Sequence, residues 1–343
     1  MLVLGAPGGI VGNVSAVLAD HRSRRVIAAA GAFGYALSLF AFGTGQTFAA
    51  LACASFTTGF FAHTLINGTE LALIDLAGDR VGAYLARAML FGTGGGVLAP
   101  ALFIAAVALG FGWRGAFLVV AALLAAYGAS LACLPLPPPV RAKAGPRVGH
   151  GLRTIARDGR VWYFGVIALL MGMLQQPFLA FVVAYAHQTL GASTTVTTVL
   201  AATWIVGVVA ATTRAGRSHN DARAFRLSTS AAIVGAGVLA ATVVRSPAAI
   251  AVAIAACAFG VSTLTLTVKS RVVDLHPGLV GSAFALVSTI EFAGFFVPIG
   301  FGRVADARGV HAGLACFGAV ALVLLLVAIA GDRVGQASSA RAI

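Results

Sequence analysis

The stretch AGLACFGAVALVLLLVAIAG, residues 312–331, holds only apolar side chains and glycines. About twenty such residues in a helix cross the roughly 30 Å hydrocarbon core of a bilayer. A segment in lipid must satisfy its own backbone hydrogen bonds, which favours a helix. This stretch therefore predicts a transmembrane helix. The stretch ALACASFTTGFFAHTLINGTELALI, residues 50–74, predicts another, which carries a few polar side chains.

The composition extends this interpretation to the whole chain. Hydrophobic residues make up 59% and charged residues 10% of the 343 residues, which is outside the range of soluble domains. The net charge of +13 does not indicate a nucleic-acid partner, because the basic residues lie in short connections between apolar runs. The expected partner is membrane lipid. The four cysteines show neither CxxC nor metal-ligand spacing, so we expect no metal and no other cofactor.

Apolar runs separated by charges, prolines and glycines predict eleven membrane spans. The predicted fold class is therefore all-α, as a polytopic membrane protein. The predicted spans cover residues 1–19, 26–44, 48–76, 85–109, 115–134, 161–187, 193–213, 227–244, 247–270, 279–302 and 310–331.

The distribution of Lys and Arg predicts the orientation of these spans. Sorting them onto alternate sides puts roughly 19 of the 23 on one side, which the positive-inside rule makes cytoplasmic. We therefore expect a multi-pass protein of the bacterial plasma membrane, with its C-terminus in the cytoplasm. The proline-rich and basic stretch at residues 134–160 indicates a linker. The predicted organisation is an N-terminal helix bundle, a cytoplasmic linker, a C-terminal helix bundle and a cytoplasmic tail, over residues 1–134, 135–160, 161–331 and 332–343.

Two short motifs occur twice, about 200 residues apart. DHRSRR at residues 20–25 and DARAFR at residues 221–226 share the spacing D-x-R-x-x-R. ELALIDL at residues 70–76 and KSRVVDL at residues 269–275 align Asp75 with Asp274. Two parallel repeats joined by a linker are the internal symmetry of one large class of secondary transporters.

These motifs, in this order, resemble the major facilitator superfamily. AVLADHRSRR, residues 16–25, matches the family's loop signature G-x-x-x-D-R-x-G-R-R at Asp20, Arg24 and Arg25, and departs from it at Ala16, His21 and Ser23. The stretch GTGGGVLAP at residues 92–100 is similar to the glycine and proline signature in the fifth helix of the family's proton-coupled exporters, the drug/metabolite:proton antiporters. The resemblance implies two pseudo-symmetric helix bundles that transport a small molecule by alternating access.

The resemblance also implies a role for the repeated loop. Asp20 is expected to face the N-terminus of the eleventh family helix, just after Pro277, where a helix dipole favours an anion. The arginines of this loop would then reach Asp75, and the second half would repeat the arrangement. Such a cluster would latch the cytoplasmic ends in one conformation; the alternative is a set of solvated charges. The second-half residues are Asp221, Arg223 or Arg226, and Asp274.

The repeat makes two further predictions. Glu70 and Lys269 occupy equivalent positions and would pair across the cytoplasmic mouth, although each could instead extend into cytoplasmic water. The first repeat also lacks a counterpart of the helix that contains Gln175. The chain is therefore expected to hold family helices two to twelve, with a helix missing upstream of Met1.

Three polar residues share one face of the span at residues 48–76. His63, Asn67 and Glu70 are spaced i, i+4 and i+7. Ionisable groups inside a membrane are costly unless they meet water, a partner or a substrate. We predict that His63 and Asn67 bind substrate and that Glu70 carries protons. Hydrogen bonding between helices is the alternative.

The second half offers Glu291, an acid near the middle of its span, and the pair Gln175 and Gln176 beside Pro177. Glu291 is predicted to carry the coupled proton, with a permanent bond to a neighbouring helix as the alternative. The two glutamines are predicted to bind substrate, although only one of two adjacent residues can face a given cavity. The glycines of GTGGG are predicted to allow close helix packing rather than to bind phosphate.

The predicted function is proton-coupled efflux of a small amphipathic molecule by a monomeric transporter. A truncated, non-transporting membrane protein is the first alternative. A membrane-embedded enzyme is the second, but the chain has no HExxH or GxSxG motif and no clustered acids, so no enzyme activity is predicted.

Overall fold

The computed structural model describes residues 2–135, 148–217 and 226–340, and over these ranges the chain is α-helical with no strand. A single turn of 3₁₀-helix lies at Gly78–Arg80. The α-helices are α1 Leu2–Gly12, α2 Val14–Ala19, α3 Arg24–Thr44, α4 Phe48–Ala77, α5 Val81–Ala108, α6 Gly112–Cys133, α7 Val148–Arg157, α8 Gly159–Met173, α9 Gln176–Gln188, α10 Thr194–Arg217, α11 Leu227–Val243, α12 Pro247–Leu275, α13 Val280–Gly294, α14 Pro298–Arg308 and α15 Val310–Ala340.

Nine apolar segments among the described residues are long enough to cross a membrane. Two of the nine, Gly159–Gln188 and Val280–Arg308, each join two consecutive helices. The other two predicted spans are shorter apolar helices, Gly5–Ala19 and Leu227–Val243. The structure therefore supports nine of the eleven predicted spans by length. The first of the short segments is also interrupted at Asn13, between α1 and α2.

Local sequence explains where the helices end. Thr47 accepts a hydrogen bond from the Ala50 N–H at 3.2 Å and so caps the start of α4. Gly78 ends the same helix with a φ of 53°, which costs glycine little. Helix α7 lies inside the predicted linker, where Gly151 and Ile155, four residues apart and so on one helix face, are buried.

The contacts divide the chain into two compact units. Unit 1 consists of residues 1–81, 94–162 and 272–289, and unit 2 consists of residues 82–93, 163–271 and 290–343. The predicted division at residues 135–160, with a bundle on each side and a tail from residue 332, stays a prediction.

Small residues bring the helices of unit 1 close together. A Cβ at Gly31 would meet the backbone of Leu65, and one at Gly68 would meet the backbone of Ala28. Both contacts join α3 to α4, and the buried residues Ala28, Ala29, Ala32 and Leu131 form the core beside them. Close approach through small residues is the usual way in which membrane helices pack.

Aromatic rings fill the core of unit 2. Phe317 of α15 lies at the centre, with the rings of Phe178, Phe181 and Phe301 at 5.7, 5.2 and 5.0 Å between centroids. The cysteines are free thiols, of which Cys257 is buried.

The predicted packing role of the GTGGG glycines is wrong. Among the described atoms, none lies within 4 Å of a Cβ built at Gly92, Gly94, Gly95 or Gly96. This part of α5 is largely exposed, so its glycines do not meet a neighbouring helix in this structure.

Candidate functional site

Two interrupted helices form the candidate site in unit 2. Helix α8 ends at Met173 and α9 begins at Gln176, because Pro177 has no N–H to continue the helix. Gln175 lies between them with non-helical angles, φ −89° and ψ −111°. A second interruption separates Gly294 from Pro298.

Two glycines bring these interrupted helices into close contact. A Cβ at Gly172 would lie 2.5 Å from the Glu291 carbonyl oxygen, and one at Gly294 would meet the Leu169 carbonyl oxygen. Any larger residue at either position would therefore separate α8 from α13. This close approach places Gln175 next to Glu291.

The Gln175 amide Nε2 donates a hydrogen bond to the Glu291 carboxyl Oε1 at 3.1 Å. Both side chains are half-buried. Gln176, by contrast, is exposed, so the two adjacent glutamines have different environments as helical geometry requires. The structure thus brings together one predicted substrate-binding residue and one of the two predicted proton carriers.

The polar face of α4, which carries three predicted site residues, makes hydrogen bonds within unit 1. Asn67 is buried, and its Nδ2 donates to the Ser15 hydroxyl at 3.2 Å. His63 Nδ1 lies 3.0 Å from the Gly59 carbonyl oxygen, one turn earlier on the same helix. Glu70 is half-buried at the next turn. The Asn67 contact favours the hydrogen bonding between helices that the sequence left open.

The α2–α3 loop places Asp20 at the N-terminus of α13. Its carboxylate accepts hydrogen bonds from the Gly281 N–H at 2.7 Å, the Ser282 N–H at 2.8 Å and the Ser282 hydroxyl at 2.7 Å. A Cβ at Gly281 would meet the Ala16 carbonyl oxygen, so glycine allows the approach. The resemblance implied this position for Asp20.

Arg24 forms the second contact of this loop. Its Nη1 lies 2.8 Å from Asp75 Oδ2, and both side chains are 7% exposed. The same nitrogen donates to the Leu71 carbonyl oxygen. Arg25 instead donates to the Leu134 carbonyl oxygen at 3.3 Å and is half-buried. Arg24 is therefore the arginine that holds Asp75.

The predicted counterpart in the second half is only partly within the described residues. Asp221 and Arg223 lie outside them. Arg226 is exposed just before α11, and Asp274 is exposed in the last turn of α12. Lys269 is half-buried in α12. Glu70 belongs to unit 1 and Lys269 to unit 2, and their pairing stays a prediction.

Asp332 holds the N-terminus of α11, a role that the sequence did not predict. Its carboxylate accepts from the Leu227 N–H at 3.3 Å, the Ser228 N–H at 3.0 Å and the Ser228 hydroxyl at 2.6 Å. Arg271 Nη1 lies 4.0 Å from Asp332 Oδ1. The signal in the sequence is an acid that ends the last apolar run, together with a serine at a helix start.

A second pair that the sequence did not predict lies in unit 1. His276 Nε2 lies 2.8 Å from Asp158 Oδ2, and the Arg160 N–H donates to Asp158 Oδ1 at 2.8 Å. Partial burial would raise the pKa of Asp158, but these hydrogen bonds and the Arg160 charge outweigh it and hold that pKa below its ordinary value. Asp158 thereby connects the end of α7 to the turn after α12.

Comparisons with known proteins agree with this architecture. This chain is similar to the E. coli fucose:proton symporter FucP, with a TM-score of 0.76, 16% identity and coverage of 95% of this chain and 89% of that chain. A structure of FucP in the outward conformation gives a TM-score of 0.75, 17% identity and coverage of 95% and 88%. The human organic anion transporter MFSD10 (TETRAN) gives a TM-score of 0.73, 16% identity and coverage of 95% and 82%.

These identities are low enough that the structural likeness shows the fold alone. A search of curated protein sequences found no match. The profile of one protein family, however, matches residues 2–299. This chain therefore belongs to the Major Facilitator Superfamily.

Proposed function

We propose that this protein is a proton-coupled secondary transporter that exports a small amphipathic molecule, with Glu291 as the proton-carrying group. Family membership supports secondary transport. The stretch GTGGGVLAP supports export, through its similarity to the exporters' fifth helix. The observation that carries the proton coupling is the hydrogen bond from Gln175 to Glu291 at two helix interruptions.

An amide is a suitable partner for a carboxyl group that gains and loses a proton. The Gln175 NH₂ donates to a charged Glu291, and after a half-turn of the amide its carbonyl oxygen accepts from a protonated Glu291. A lysine or arginine would favour only the charged form. Gln175 can therefore satisfy Glu291 in both states, so that neither state leaves a half-buried polar group unpaired.

The helix interruptions give this pair freedom to rearrange. Discontinuous helices expose backbone groups at their broken ends, and secondary transporters place substrate and coupling ions there. Gln176 is exposed beside the pair and is the proposed substrate contact in unit 2. His63 is the proposed substrate contact in unit 1, and Glu70 is the alternative proton carrier.

The test is transport by purified protein in liposomes that contain a pH-sensitive dye. A panel of fluorescent amphipathic compounds first identifies one that the unmodified protein accumulates against its gradient when a pH gradient is imposed. Glu291→Gln should abolish that accumulation while downhill exchange of the same compound continues. Gln175→Leu should weaken coupling, whereas Gln176→Leu, the matched control at the neighbouring position, should change the affinity for the compound instead.

Two results would contradict the proposal. Continued uphill transport by Glu291→Gln would exclude this residue as the proton carrier. Loss of coupling in Glu70→Gln, with coupling retained in Glu291→Gln, would move the proton path to α4.

A further inference from the structure

Helix α7 of unit 1 presents one buried face and two exposed faces. Ile155 is completely buried, and a Cβ at Gly151 would lie 2.8 Å from Leu279 Cδ2. On the other faces, Leu152 and Ala156 form an exposed apolar strip. Arg153 and Arg157 lie one position further along the helix and are also exposed, so a basic strip runs beside the apolar one.

Trp162, in the first turn of α8, extends the apolar strip. Its Nε1 donates to the Ala156 carbonyl oxygen at 2.8 Å, which holds the indole beside α7. Trp162 is 47% exposed and Leu152 is 41% exposed. Tryptophan at the start of a membrane span prefers the boundary between hydrocarbon and water. Apolar and basic strips side by side are typical of helices that lie in that boundary.

The charge of this region is strongly positive. Residues 134–160 contain six basic residues and one acid, Asp158. Asp158 already accepts hydrogen bonds from Arg160 and contacts His276, so its carboxylate is bound by residues other than Arg153 and Arg157. The strip therefore presents positive charge for which α7 itself supplies no acidic partner, since VGHGLRTIAR contains no Asp or Glu.

We propose that this surface binds the headgroups of anionic phospholipids, with the apolar strip at the boundary of the acyl chains and the arginines on the phosphates. Arginine suits phosphate because its planar guanidinium donates two parallel hydrogen bonds. We call it the α7 surface, and it consists of Leu152, Arg153, Ala156, Arg157 and Trp162.

The bound lipid would act on the segment that Asp20 also holds. Asp158 contacts His276, Gly151 approaches Leu279, and Asp20 binds the N–H groups of Gly281 and Ser282. Residues 276–282 are therefore held from two sides within unit 1. Lipid on the α7 surface stabilises the contacts on one of those two sides, those of Asp158 and Gly151.

The experiment measures lipid selectivity at Trp162 in the full-length protein. Trp113→Phe and Trp204→Phe leave Trp162 as the single tryptophan of the chain. Vesicles contain phosphatidylcholine and phosphatidylglycerol, with bromine, a fluorescence quencher, on the acyl chains of one or the other. Brominated phosphatidylglycerol should quench Trp162 more strongly than brominated phosphatidylcholine at the same mole fraction.

Arg153→Gln with Arg157→Gln should lower the preference for phosphatidylglycerol roughly tenfold, because each arginine near an anionic surface contributes to its attraction. Arg153→Lys with Arg157→Lys keeps the charge and should retain most of the preference. This control shows that the double Gln variant tests charge rather than folding. Arg303→Gln, distant in the sequence from α7, should leave it unchanged. Equal quenching by both lipids in the single-tryptophan protein overturns the proposal, as does an unchanged preference in the double Gln variant.

Discussion

Two of the described helices, α13 and α11, have at their N-terminus an aspartate from a distant part of the chain, bound through the same kinds of donor. Asp20 accepts from two consecutive N–H groups and a serine hydroxyl at the start of α13, and Asp332 does so at the start of α11. Asp20 is buried, whereas Asp332 is only partly so. In unit 1 the basic residue Arg24 pairs with a different acid, Asp75. In unit 2, Arg271 lies near Asp332 itself, at 4.0 Å.

The comparison shows that the free N–H groups at a helix N-terminus favour a carboxylate as their partner. Tertiary packing determines which aspartate of the chain reaches them. A helix start has N–H groups without partners, and a carboxylate satisfies them and suits the helix dipole. The acid can come from a loop, as Asp20 does, or from the end of another helix, as Asp332 does. The two arrangements also differ in burial, which makes their energies different and testable.

The largest effect is expected for Arg24→Gln. It leaves Asp75 as a buried charge without its salt bridge, which should lower the free energy of unfolding by about 3–5 kcal/mol. The measurement is unfolding in mixed detergent micelles. Arg24→Gln combined with Asp75→Asn should recover part of the loss. The matched variant in unit 2, Arg271→Gln, should cost no more than about 1 kcal/mol. Equal losses in both units would contradict the comparison.

Asp20→Asn should have the next largest effect. Asparagine keeps the shape but offers one acceptor oxygen, so it can accept from Gly281 or from Ser282 but not from both, and the buried donor left over costs about 2 kcal/mol. Hydrogen exchange should quicken at these two amides. Ser282→Ala, which removes only the hydroxyl donor, should have a smaller effect. Unchanged exchange in Asp20→Asn would show that α13 does not depend on this acid.

Asp332→Asn should cost less, about 1 kcal/mol, which is usual for the loss of an N-terminal cap near solvent. The faster exchange should be confined to the first turn of α11, at Leu227 and Ser228. If Asp332→Asn destabilises the protein as much as Asp20→Asn, the partial exposure of Asp332 does not weaken its contacts, and the distinction between the two acids fails.

The smallest effect concerns pH and Asp158. Because the folded state lowers the pKa of this acid, its contacts stabilise the protein above the unfolded pKa, near 4, and that contribution is lost as the pH falls through the folded value. Trp162 emission in the single-tryptophan protein should therefore change only in acid, below about pH 4. Asp158→Asn should abolish this change. A transition that persists in that variant belongs to another group.

Some features of this protein are properties of single segments, and the sequence predicts them well. Long apolar runs predict the spanning helices, and the loop signature at Asp20 and Arg24 indicates the family. The two shorter segments, Gly5–Ala19 and Leu227–Val243, show the limit of hydropathy: it registers an apolar run but not where a helix starts or is interrupted. The GTGGG packing prediction failed for a related reason, because small residues permit a close contact without supplying a partner.

The sequence by itself determined that the chain is an all-helical membrane protein, and it singled out Glu291, Gln175, Asp20 and Arg24 as separate candidates. Only the tertiary structure decided which of them meet. Gln175 and Glu291, 116 residues apart in the sequence, are brought together by two glycine contacts between their helices. Asp332 binds the N-terminus of α11, and His276 contacts Asp158. Hydropathy and periodicity depend on neighbours along the chain. These contacts depend instead on how closely two helices approach, and that distance is determined by the volume of the side chains where the helices cross.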